Sequence, residues 1–186
     1  MDIQAFLQLS RGRWLTQQTC HQLGQFTAQS QIAQLDVELL EVNDAEVVRL
    51  CCDAQIDPTQ VLCASKLSWQ KKSPSSPLQA DGSLLMVPFA ATPSGEQGQL
   101  LRQVNQEPIV QLSFHINHEQ KLIVTETHER IAVEERVWFA SPNLRLRVSL
   151  LKQDQALCQA TWYSEVRLGG LPQPEVQALG NSVLTP

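Results

Sequence analysis

EERVWFASPNLRLRVSLLK, residues 134–152, contains two runs of alternating apolar and polar side chains on either side of the triplet S-P-N at 141–143. Proline sets φ for the first position of a turn, and asparagine tolerates the left-handed second position. The stretch therefore predicts a β-hairpin. If the turn is tight, the numbers of paired residues add up to about 285, which places Trp138 opposite Arg147.

The predicted hairpin has two chemically different faces. One face carries Arg136, Trp138, Arg145, Arg147 and Ser149. The other face carries Val137, Phe139, Leu144, Leu146 and Val148. The alternation alone favours the arrangement with the apolar face inside the fold and the arginines in water. The opposite arrangement requires a wide, hydrated interior that can hold polar side chains.

Most of the remaining chain has strand-like patterns. The predicted strands are Arg13–Thr27, Ile32–Leu40, Val61–Gln70, Ser83–Phe89, Gln99–Val104, Ile109–Ile116, Lys121–His128, Ile131–Phe139, Leu144–Leu151 and Ala156–Leu168. Short connections between them predict antiparallel neighbours. About ten strands with regular turn signals indicate a barrel or a sandwich, and a closed barrel leaves no exposed edge. The segments Lys71–Gly82 and Ala91–Gly98, rich in Pro, Ser and Gly, are predicted to be loops.

Two short helices are predicted. Asp2 can cap the first, which carries Ile3, Phe6 and Leu7 on one face. The second begins after Asn43 and stops before Pro58. We therefore predict one domain over residues 1–168, followed by a poorly ordered tail over residues 169–186.

Composition narrows the classes of function. The 186-residue chain has a net charge of −5, whereas a sequence-independent nucleic-acid binder needs a concentrated positive field. The five cysteines show no C-x-x-C spacing and the four histidines have no ligand-like spacing, so we predict reduced thiols and no metal. The start lacks a signal-peptide h-region and no apolar run could cross a bilayer. We expect a cytoplasmic protein without membrane contact.

Several segments resemble the CpcS/CpeS-type phycobiliprotein lyases, which attach bilins to cysteines of light-harvesting proteins. The hairpin at 134–152 carries this resemblance most specifically. The opening MDIQAFLQLS with G-R-W at 12–14, and W-Y-S-E-V-R at 162–167, are similar to that family's two ends. Similarity is thin between Gln70 and Asn105. Residues 16–19 read T-Q-Q-T, where the family resembles S-Q-R-T, so Gln18 stands in place of an arginine.

The G-R-W triplet is also similar to the G-x-W signature of calycin barrels, in which the tryptophan stacks on an arginine of the last strand. Here that pair would be Trp14 and Arg167. An ordinary core tryptophan is the alternative. Together with the strand pattern, the resemblance implies an all-β fold: a single antiparallel calycin/lipocalin-like barrel of about ten strands. It would have a short N-terminal helix and one helix after the second strand.

The resemblance implies that the chain binds a phycobilin, such as phycocyanobilin, and joins it by a thioether bond to a cysteine of a phycobiliprotein subunit. The arginine face would then line the cavity. The implied catalytic residues are Glu165 and Arg147. The implied bilin-binding residues are Arg145, Arg147, Ser149, Trp69, Trp138, Tyr163 and Glu135. The phycobilin is a transferred substrate, and we predict no permanently bound cofactor.

Two alternatives stay open at this point. Gln18 favours a non-catalytic paralogue that acts as the partner subunit of a lyase. The chain could also be a calycin-type carrier of another hydrophobic anion. If the arginine face is inside, the Val137–Val148 hairpin presents an apolar face outside, and such a face seldom stays bare. We therefore predict a homodimer, or a heterodimer with a related lyase subunit.

Overall fold

The structure is a computed structural model that describes residues 1–24, 27–73 and 76–170. The described chain forms a closed antiparallel barrel of ten strands, with two α-helices and a short 3-10 helix. The helices are α1 (Ile3–Ser10), α2 (Ala45–Asp53) and the 3-10 turn Pro58–Gln60. The strands are β1 (Gly12–Gln22), β2 (Thr27–Leu40), β3 (Ala64–Ser73), β4 (Ser76–Phe89), β5 (Gln97–Val104), β6 (Val110–Ile116), β7 (Leu122–His128), β8 (Ile131–Ser141), β9 (Leu144–Gln153) and β10 (Ala156–Leu168).

The barrel is an up-and-down meander. Each strand pairs with its neighbours in sequence, and β1 closes the sheet by pairing with β10 along their length. Because every connection joins adjacent antiparallel strands, no crossover is needed. The predicted fold class is confirmed, including both helices and their positions in the chain.

Helix α1 closes one end of the barrel. The side chain of Asp2 caps it by accepting the N–H of Ala5 at 2.8 Å, as predicted. The helix has a buried face, made of Ile3, Phe6 and Leu7. This face packs into the apolar part of the interior at the same end of the barrel. The strands supply Leu100, Leu112, Phe114, Ile116, Leu122 and Val124 to this core. Side chains of α1 and of these strands therefore fill most of this end of the barrel.

Trp14 and Arg167 join the first strand, the last strand and the helix. Trp14 is fully buried, and its Nε1 donates to the Ser10 carbonyl at 2.9 Å. The guanidinium of Arg167 lies 4.1 Å from the Trp14 ring centroid, so the predicted cation–π pair is confirmed. Arg167 also donates to the carbonyls of Leu9, at 2.5 Å, and Arg11. These bonds satisfy carbonyls that the end of α1 leaves without helical partners.

Helix α2 covers part of the outer wall. Its buried residues Val47, Leu50 and Cys51 pack against outward side chains of β3, β4 and β5. The Asp44 side chain caps the helix by accepting the N–H of Glu46. Neither α-helix in the described part of the chain is long or apolar enough to cross a membrane.

The loop prediction for Lys71–Gly82 was wrong. Strands β3 and β4 extend through most of this segment, because backbone pairing between them continues to Ser73 and Ser76. Ladder hydrogen bonds from neighbouring strands here outweigh the weak strand propensity of Pro and Ser. Strand β2 similarly begins at Thr27 rather than Ile32, since it pairs with β1 over its whole length. The predicted tail from residue 171 onward lies outside the described residues.

Candidate functional site

Strands β9 and β10 present their arginines to the barrel interior. Arg145 pairs with Glu165, and Arg147 pairs with Tyr163. The next inward pair is Ser149 with Thr161. The inward arrangement that the resemblance implied is confirmed, and the arrangement favoured by alternation alone was wrong. A tight turn at Gln153–Gln155 predicts that Lys152 pairs with Ala156 and Arg145 with Tyr163. The observed register differs from this prediction by two residues, partly because of a β-bulge between Leu157 and Gln159. An even offset leaves every side chain on the predicted face.

The partner strand β8 corrects one prediction. Ser141 pairs with Leu144 as expected, but a bulge between Phe139 and Ser141 shifts the rest of the strand by one residue. Trp138 therefore pairs with Leu146, not with Arg147. An odd shift reverses the face of every β8 side chain that precedes the bulge.

The reversal moves four predicted residues. Val137 and Phe139, expected outside, face the interior, since Val137 pairs with Arg147 and Phe139 with Arg145. Trp138 lies on the outer wall, where the Lys121 ammonium is 5.4 Å from its ring centroid. The prediction that Trp138 faces the interior was therefore wrong, and Arg136 lies outside with it.

A cavity of about 390 Å³ occupies the half of the barrel away from α1. Its polar lining consists of Thr16, Gln18, Gln31, Arg102, Glu135, Arg147 and Tyr163. Its apolar lining consists of Ala33, Leu35, Leu67, Trp69, Leu84 and Val104. The volume and the mixed lining are typical of small-molecule sites. Of the predicted residues, Arg147, Tyr163, Glu135 and Trp69 meet at this cavity.

Glu165 is the buried anion behind the cavity wall. It is fully inaccessible to solvent, and its Oε2 accepts a hydrogen bond from Arg145 Nε at 2.5 Å. Its Oε1 lies 3.7 Å from Arg147 Nη2 and has no hydrogen-bond partner among the described residues. An acceptor of this kind usually has a partner in native proteins. This oxygen is therefore free to accept a further hydrogen bond.

The two arginines differ in their surroundings. Burial lowers the pKa of Arg145, although Glu165 opposes this effect. Burial also disfavours the charged form of Arg147, but the carboxylates of Glu165 and Glu135 outweigh it and raise the pKa. Both guanidinium groups are charged at any physiological pH. Arg145 is tied to Glu165 and lies 4.8 Å from the Trp14 ring, so Arg147 is the more available of the two.

Tyr163 and Arg147 form one stacked unit. The guanidinium lies 3.7 Å from the centroid of the phenol ring. Burial raises the pKa of the Tyr163 phenol, although Arg147 acts in the opposite direction. The phenol is therefore neutral at physiological pH and can donate a hydrogen bond to a ligand.

Trp69 forms the opposite, aromatic part of the wall. It lies against Gly82, where an added Cβ would come within 2.2 Å of the indole ring. Only glycine allows the ring to lie flat on the adjacent strand. The predicted position of Trp69 on the cavity wall agrees with the structure.

Sequence reasoning missed Arg102 and Glu126. Arg102 on β5 donates from Nη2 to Glu126 Oε2 on β7 at 2.7 Å, across the intervening strand. The parity of Arg102 with Leu100 and Val104 was a usable signal, because all three alternate on one face of β5. The pairing with Glu126 had no local signal.

Two of the five free cysteines, Cys51 and Cys63, are unsuited to act as nucleophiles. Burial raises the pKa of the Cys63 thiol to about 12, and burial also raises the pKa of Cys51. A thiol must ionise to attack, so neither is reactive at neutral pH. Among residues 1–24, 27–73 and 76–170, no cluster of His, Cys, Asp or Glu could hold a metal ion.

Comparison with known proteins gives a consistent result. Residues 2–168 match the sequence model of the family described as CpeS-like protein. The chromophore lyase CpcS/CpeS of Thermosynechococcus vestitus is 37% identical over 171 residues, covering 91% of this chain and 94% of the relative. The phycocyanobilin lyase subunit CpcS of a Picosynechococcus species is 30% identical, covering 92% and 88%. The S-type phycobiliprotein lyase CPES of Guillardia theta superposes with a TM-score of 0.78 at 23% identity, covering 92% and 95%. That likeness independently confirms the fold.

Proposed function

This chain belongs to the CpeS-like protein family, and on that premise we propose that it is a chromophore lyase of phycobiliproteins. It binds a phycobilin and joins it through a thioether bond to a cysteine of a phycobiliprotein subunit. The observation that carries the proposal is the Arg147–Glu165–Arg145 cluster beside a cavity whose wall includes Trp69 and Tyr163. The phycobilin is the transferred substrate rather than a resident cofactor.

The cavity suits the chemistry of a bilin. A bilin is an extended conjugated tetrapyrrole with two propionates and several pyrrole nitrogens. Arg147 can bind a propionate in bidentate fashion, and Tyr163 or Ser149 can add a neutral donor. Trp69 can pack on the tetrapyrrole face. Glu135 lines the cavity directly, so its carboxylate can face the pyrrole nitrogens from the start.

Glu165 acts after Arg147 has turned. Arg147 Nη2 lies 3.7 Å from Glu165 Oε1. A propionate that draws Arg147 towards the cavity uncovers this oxygen, which then accepts a pyrrole N–H. The charge of Glu165 stabilises the protonated pyrrole system, and this form withdraws electrons from the ring-A side chain.

The bond-forming step is an addition. The cysteine sulfur of the acceptor subunit bonds to the exocyclic carbon of ring A, whose double bond becomes single. The thiol proton ends on the adjacent ring carbon, so no oxidant or reductant is required. The nucleophile comes from the acceptor, which agrees with the unreactive Cys51 and Cys63 of this chain.

One incubation tests the proposal. Purified protein is mixed with phycocyanobilin and then with an acceptor subunit, and covalent pigment is followed by absorbance after denaturation. Pigment transfer supports the lyase, whereas a coloured complex without transfer would indicate a carrier. Arg147→Gln should abolish pigment transfer, and Arg136→Gln on the outer wall is the matched control.

A partner-dependent form of the same function has one observation in its favour. Gln18 lines the cavity without a charge, as the sequence comparison with the family suggested. Transfer only after addition of a second lyase subunit would identify the chain as a non-catalytic paralogue.

An outer apolar surface supports a dimeric assembly. Trp162 is 54% exposed and Val166 is 49% exposed on the outside of β10. Leu146 of β9 lies on the same face, where it pairs with Trp138 of β8 on one side and with Ser164 of β10 on the other. We assign this outer surface of β9 and β10 to a homodimer contact with a two-fold axis. The cytoplasmic location stays a prediction.

A further inference from the structure

We propose that Arg102 on β5 is a second carboxylate-binding group of the cavity, and that the carboxylate of Glu126 competes with the ligand for it. This inference rests on the proposed function, because it concerns how the same cavity binds a ligand with two carboxylates. Arg102 borders the cavity on a strand four positions around the barrel from β9, which carries Arg147.

Two of the interior arginines are already hydrogen-bonded within the protein. Arg145 is hydrogen-bonded to Glu165, and Arg167 donates to main-chain carbonyls at the end of α1. Arg147 and Arg102 are different, because each has a buried Nε without an acceptor among the described residues. Both also line the narrower apolar part of the interior beside α1. The cavity therefore has two guanidinium groups that can take new acceptors.

The pair with Glu126 leaves Arg102 with capacity for a ligand. A guanidinium has five N–H donors, and Glu126 uses one of them, at Nη2. The pair is partly open, with side-chain exposures of 22% for Arg102 and 28% for Glu126. A carboxylate of the ligand that takes the side-on bidentate position, which arginine favours, is bound by Nε–H and Nη2–H together, so it approaches the nitrogen that Glu126 now contacts. Glu126 competes with the ligand for the same cation.

This competition gives a test with opposite signs. Biliverdin, an open-chain tetrapyrrole with two propionates, is titrated into the protein and followed by absorbance and tryptophan quenching. Biliverdin dimethyl ester is titrated in parallel, because it lacks both charges. Arg102→Gln should raise the Kd for biliverdin about tenfold or more and leave the Kd for the ester nearly unchanged. Glu126→Gln should lower the Kd for biliverdin, because the competing carboxylate is gone.

Matched controls come from the outer wall. Arg136 and Glu134 form an ion pair on the outside of β8, so Arg136→Gln and Glu134→Gln should leave both Kd values unchanged. Circular dichroism establishes that each variant is folded. If the pair were only structural, Arg102→Gln and Glu126→Gln would weaken binding alike, or the ester would be affected as much as the acid.

Either of those results, or an unchanged Kd in Arg102→Gln, overturns the inference while leaving the proposed function intact. Failure of the unsubstituted protein to bind either biliverdin or phycocyanobilin would overturn both together. The two failures are therefore distinguishable in one set of titrations.

Discussion

Replacing Glu165 by glutamine should destabilise the folded protein strongly. The carboxylate is fully buried, and its partner Arg145 is only 5% exposed. Removing one member of a buried ion pair leaves the other charge without compensation, at a cost of about 3–5 kcal/mol. The glutamine oxygen can still accept from Arg145, and the Trp14 ring lies 4.8 Å from the guanidinium. We therefore expect about 3 kcal/mol, the lower end of the range.

The measurement is urea unfolding at neutral pH, followed by circular dichroism and tryptophan fluorescence. A loss of about 3 kcal/mol corresponds to a fall in Tm of roughly 10 °C for a domain of this size. The control is Glu134→Gln on the outer wall, where an exposed ion pair contributes about 0–1 kcal/mol. Equal urea midpoints for Glu165→Gln and Glu134→Gln would refute the argument that burial makes the loss of Glu165 costly.

A double variant separates stability from binding. In Arg145→Met/Glu165→Leu both charges are absent, and replacement of a buried pair by apolar residues is often neutral for stability. We expect this variant to recover most of the stability that Glu165→Gln loses, yet to bind biliverdin poorly. Binding at the parental level would show that Glu165 has no part in the ligand site.

Further variants test other parts of the structure. Gln18→Arg should tighten biliverdin binding by roughly 1.5–3 kcal/mol through one charge-assisted contact, and an unchanged Kd would mean that position 18 does not meet the ligand. Leu146→Glu should leave a folded protein that elutes as a monomer in sizing chromatography, whereas an unfolded chain would show that Leu146 is core. Gly82→Ala should displace Trp69 and shift its fluorescence, because the new Cβ overlaps the ring; an unchanged spectrum contradicts this. Iodoacetamide at pH 8 should spare Cys63 in the folded protein, because its pKa of about 12 keeps the thiol protonated; rapid labelling of Cys63 would be inconsistent with its burial.

The sequence predicted the barrel and both helices well, because strand periodicity and capping residues are local signals. It did not predict the orientation of Trp138. A single bulge next to Phe139 reverses β8, and nothing in V-W-F-A-S-P-N marks where that extra residue will fall. The hairpin alternation was also a poor guide to the interior, since L-R-L-R fits either face. Only the resemblance placed Arg147 inside.

The missed pair has a different physical reason. Arg102 and Glu126 are 24 positions apart in sequence and meet across β6, so their contact depends on barrel curvature. A pattern within one strand cannot predict such a contact. The loop assigned to Lys71–Gly82 failed for a related reason, since pairing with neighbouring strands decided its structure.

The hydrogen bonds from Arg167 to the carbonyls at the end of α1 also have consequences for how the protein folds during synthesis. Arg167 and Leu9 are 158 positions apart, and β1 pairs with β10 only after the last strand is available. Contacts of such high sequence separation slow folding. During synthesis the ribosome must therefore deliver nearly the whole domain before the ring of strands can close. Tyr163 and Glu165 lie on that last strand, so the wall of the cavity is complete only after β10 has been synthesised.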